Sequence, residues 1–90
     1  MKTEIVALSF LPAGYGHYKF TVNVDSEDHV LTSPRVDLVD AIRGADESDE
    51  KAEAARIAAV KMVLDADGVE YTDVRTEYST RYGKHIVVDF

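Results

Sequence analysis

The sequence predicts an α+β fold: an antiparallel sheet of four or five strands from two hairpins, with one face covered by a long helix over about 48–67. Three observations predict it. Apolar and polar residues alternate with period two near both ends of the chain. Glycine-bearing turns break each alternating region into a hairpin. Between them lies an alanine-rich stretch with its own start and stop signals. Ninety residues make one domain, 1–90, with a single core.

The first strand reads from Glu4 to Leu11, with Val6, Leu8 and Phe10 on one face and Ile5, Ala7 and Ser9 on the other. Pro12-Ala13-Gly14-Tyr15-Gly16 supplies the turn, because proline presets φ and the glycines accept positive φ. From His17 to Asp25, Tyr18, Phe20, Val22 and Val24 share the core face, and His17, Lys19, Thr21 and Asn23 the other. Asp25-Ser26-Glu27-Asp28 is a polar turn, and His29 to Thr32 the short third strand that would bring the sheet to five.

Ser33-Pro34 is a helix opening, and Val36, Val39 and Ile42 keep helical spacing up to Gly44, so a short helix is expected near 34–43. Valine and aspartate are weak helix formers, and an irregular extended segment is the alternative. The long helix is better specified. Ser48 is expected to cap it, Asp49, Glu50 and Glu53 favour the positive end of its dipole, and Gly68 ends it. Ala52, Ala55, Ala59, Met62 and Val63 form one stripe, flanked by Ile57, Val60 and Leu64. Small alanines let such a helix lie close to a sheet.

The second hairpin follows. Thr72, Val74, Thr76 and Tyr78 alternate with Asp73, Arg75, Glu77 and Ser79, within a strand expected over Val69 to Thr80. After a turn at Arg81 to Lys84, Ile86, Val88 and Phe90 oppose His85, Val87 and Asp89. This last strand is expected at the sheet edge, where it could pair with a second copy as a homodimer.

Charge is the main functional signal. The net charge is −7, and the segment 25–53 carries all of it, with ten acids against Arg35, Arg43 and Lys51. A solvated surface is the ordinary meaning of such a run; a face that docks a basic partner is the sharper one. The residues expected at that contact are Asp28, Asp37, Asp40, Asp46, Glu47 and Glu50. With no cysteine, the chain has no disulfide or thiolate chemistry, in keeping with a reducing, cytoplasmic setting. Ile5 to Leu11 is too short for a signal peptide core, and no apolar run reaches the ~20 residues that span a bilayer.

Several motifs fail on their chemistry. Gly14, Tyr15, Gly16 and Phe20 resemble the RNP1 signature of RNA-recognition motifs. Ala13, His17 and Tyr18 depart from it, and only one strand lies upstream. Gly14-x-Gly16 with Lys19 lacks the following helix N-terminus that cradles phosphate. Asp65 to Glu70 starts like a calcium loop but places Glu70 where glycine is required. His17, His29 and His85 lie far apart and are expected as exposed strand residues, without metal or cofactor. No serine sits in a nucleophile elbow, and no carboxylate has the apolar flanks that favour acid catalysis.

The run Gly14-Tyr15-Gly16-His17-Tyr18-Lys19, leading into a strand and then a helix, resembles short uncharacterised reading frames of bacterial and phage mobile elements. The resemblance covers roughly the first two-thirds of the chain; it implies a small prokaryotic or viral accessory protein and carries no activity. The leading expectation is therefore a non-enzymatic acidic module that binds a basic protein. A nucleic-acid-binding sheet face using Tyr15, Lys19, Arg75, Tyr82 and Lys84 is the alternative, disfavoured by the interleaved acids. An enzyme comes third.

Overall fold

The computed structural model describes residues 2–46 and 48–90. Strands β1 (Thr3–Gly14), β2 (His17–Val24) and β3 (Glu27–Ser33) form a meander, followed by helices α1 (Val36–Ile42) and α2 (Glu50–Ala66). Strands β4 (Asp73–Ser79) and β5 (Gly83–Asp89) close the chain. The five strands make one antiparallel sheet in the order β3-β2-β1-β5-β4. The α+β class is as expected, with the third strand and the short helix both formed.

Register turns the alternation into a core. Phe10 pairs with Phe20, Leu8 with Val22 and Val6 with Val24, while Val6 also pairs with Ile86. These residues share one face, where Phe20, Val22 and Val88 are fully buried under Val60, Val63 and Leu64 of α2. Leu38 and Val39 of α1 complete the layer. Burial of such side chains, worth about 1.5–3 kcal/mol each, holds the helices down.

The last strand is not at the edge. β5 lies between β1 and β4, with Thr3 to Val6 paired to Asp89 to Ile86. The physical reason lies in Ile86-Val87-Val88, three consecutive buried residues that need cover on both faces. The edges fall instead to β3 and β4, whose Glu27, Asp28, Asp73, Arg75 and Glu77 suit exposed borders.

Helix boundaries differ in detail from the expectation. Asp49, not Ser48, caps α2: its carboxylate accepts from the amides of Lys51 at 2.9 Å and Ala52 at 3.1 Å. Ser48 instead donates its hydroxyl to Asp46 at 2.7 Å. A carboxylate so placed answers both the orphan amides and the helix dipole. At the other end Gly68 has φ +70°, and the amides of Val69 and Gly68 reach back to the carbonyls of Leu64 and Asp65. That is the Schellman pattern that ends a helix. α1 begins at Val36, after Ser33 Oγ accepts from the Arg35 amide at 3.3 Å. Residues 69–72, read as strand, instead cross the end of the sheet before β4 begins.

α2 crosses the sheet diagonally. Glu53, near its start, meets Thr76 of β4 and Lys84 of β5, whereas Asp67, just past its end, meets His29 of β3. Its 17 residues span about 25 Å, enough for that traverse.

Candidate functional site

The acidic segment divides between two ends of the molecule. Asp28 lies on β3 near the β2–β3 turn, on the face away from the helices, and accepts from Asn23 Nδ2 at 2.7 Å. The rest of β3, about 17 Å of extended chain, separates it from the segment that leads into α1. Asp37 and Asp40 stand one turn apart on the exposed side of α1, opposite the buried Leu38 and Val39. Asp46 lies in the connection to α2, and Glu50 in the first turn of α2; both are exposed. Because α1 packs on α2, these four carboxylates belong to one layer. Glu47 lies outside the described residues.

Local partners keep this layer charged. The Arg35 guanidinium grips Asp37 through two bonds of 2.9 and 3.0 Å and holds its carboxyl below the usual carboxylate range. The Ser48 hydroxyl, aided by its amide at 3.0 Å, does the same for Asp46. Both carboxylates therefore stay ionised into mild acid, and Arg35 balances the charge of Asp37.

The residues of the alternative, nucleic-acid reading are dispersed. Tyr15 is fully exposed at the first hairpin tip, and Lys19 is exposed on the helix-free face. Arg75 on that face is held by Asp73, Glu77 and Asp89, with Glu77 only 2.9 Å from its guanidinium. Three carboxylates more than cancel its charge. Tyr82 stands at the second tip beneath the Arg81 guanidinium, 5.3 Å from its ring centre. Lys84 points to the helix side, 3.4 Å from Glu53.

His29 corrects the expectation of exposed strand histidines. It lies opposite Val22 on the helix side of β3, is buried, and is hydrogen-bonded through Nδ1 to the Asp67 carboxylate. Its position in the alternation, on the same face as Leu31, was the available signal. The partner, 38 residues away, had none. His17 and His85 are half-buried, and each has its Nδ1 2.9 Å from a nearby carbonyl, of Tyr15 and Gly83 respectively. Among the described residues, no cluster of three or more His, Asp or Glu could hold a metal ion. No helix among them is long and apolar enough to cross a membrane.

No family model, curated protein or solved structure matches the chain.

Proposed function

We propose that the chain is a small acidic interaction module that binds a basic protein partner through the carboxylates of its helical layer. One observation carries this reading: Asp37, Asp40, Asp46 and Glu50 are all exposed on α1, α2 and their connection, on elements anchored to the core from the other side. A mainly acidic surface of this kind, with Arg35 paired to Asp37 and Arg43 and Lys51 also exposed, raises the rate of encounter with an opposite charge and favours it over like-charged competitors. Asp28, at the far end of β3, is not part of the proposed contact.

The test is a titration of the isotopically labelled chain with a lysine-rich peptide, followed by NMR at several salt concentrations. Amide shifts should gather at residues 37–50 and saturate. The variant carrying Asp37→Lys, Asp40→Lys, Asp46→Lys and Glu50→Lys should bind at least about fourfold more weakly, since exposed ion pairs contribute roughly 0.2–1 kcal/mol each. Its salt dependence should flatten. Unchanged affinity in a folded variant would refute the reading.

A further inference from the structure

α2 stops at Ala66, short of the end of the sheet that lies away from both hairpin tips. Two clefts open there, of about 380 and 590 Å³, sharing Val69 and Phe90 as a common wall. Val24 extends the floor of one and Tyr71 of the other, and all four residues are half-buried. The rim is acidic on both sides, with Glu4, Asp25 and Glu27 around the first cleft and Asp65 and Glu70 around the second. Among the described residues, Lys2 is the only lysine or arginine lining either cleft.

Apolar floor and acidic rim together select a particular occupant. A long cationic side chain lays its methylenes on apolar surface while its head stays among carboxylates and water. Lys2 already shows such a head in place, with Nζ 3.1 Å from Glu4 and 4.0 Å from Asp25. A large aliphatic side chain beside it would cover Val69 and Phe90. We propose that this groove seats a peptide segment of a basic partner in which lysine or arginine adjoins leucine-like residues. The groove shares with the helical-layer reading only the sign of the partner's charge. It uses different residues at a different end of the sheet, so either surface can fail alone.

Glu27 and Glu70 are exposed, so reversing them leaves the core untouched. The probe is a short peptide alternating lysine and leucine, titrated against the full labelled chain. Expected are saturable shifts at Val24, Val69 and Phe90. The Glu27→Lys/Glu70→Lys variant should lose about tenfold in affinity, because two rim attractions become repulsions. Lys2→Ala, which vacates Glu4 and Asp25, should gain roughly two- to fivefold. The fourfold reversal at residues 37–50 should leave these shifts in place. Binding equally strong for an all-lysine peptide or for spermidine would overturn the proposal, because the apolar floor would then contribute nothing. Shifts confined to residues 37–50, or none that saturate, would overturn it too.

Discussion

Asp49 and Ser48 show how one residue of register decides a cap. Both are good N-cap residues, yet only Asp49 accepts from the first free amides of α2, while Ser48 turns back to Asp46. Asp49→Ala should therefore destabilise the protein by about 1 kcal/mol, and Ser48→Ala by less than about half of that. Urea denaturation of the two variants measures the difference, and equal losses would contradict the assignment. Within the sequence, either residue satisfied the pattern of a polar cap before an alanine-rich run. The choice depended on where the connection from α1 delivers the chain.

At the scale of elements, the segment between α2 and β4 is fastened by Tyr71, whose hydroxyl donates to Asp65 at 2.8 Å. Burial is the first cause of its raised pKa, and the Asp65 carboxylate adds to it, pushing the phenol up to about 12. The folded state thus holds this proton more tightly than the unfolded chain, where tyrosine titrates near 10. The contribution is complete below about pH 10 and is lost as pH rises toward about 12. In Tyr71→Phe that alkaline decline should be shallower, which denaturant titrations between about pH 9 and 12 would reveal. If the two chains decline in parallel, the bond to Asp65 has no stabilising role. The faces of β1, β2, β4 and β5 were legible as alternation, and so was the end of α2 at Gly68. The Tyr71 contact was not, because a side-chain partner across a helix end leaves no period in the sequence.

For the molecule as a whole, the cluster around Asp89 joins the two ends of the chain. Its carboxylate accepts from Thr3 Oγ1 at 2.7 Å and from Arg75, and these two bonds hold it below the ordinary carboxylate range. Glu53 is lowered in the same direction, first by the Thr76 hydroxyl and then by Lys84, where α2 meets the second hairpin. A lowered folded pKa means stability that is present above the unfolded value, near 4, and lost as pH falls through the folded one. Acidification below about pH 4 should therefore weaken the sheet closure between β1, β5 and β4. Asp89→Asn should be less stable at neutral pH but lose less on acidification. An identical acid profile for both chains would show that this carboxylate is not a source of the pH dependence.

What the sequence determined by itself was local: period-two strands, the alanine stripe, the glycine that ends α2, and the concentration of acid in residues 25–53. Each follows from backbone preference or hydration acting over a few residues. Tertiary structure alone decided that β5 sits inside the sheet, that His29 is buried against Asp67, and that Asp28 parts from Asp37, Asp40, Asp46 and Glu50. These outcomes depend on pairing segments far apart in the chain, as Thr3 and Asp89 are at a separation of 86 residues. No local preference encodes such a partner; it is fixed by which arrangement covers Val87 on one face and Val88 on the other.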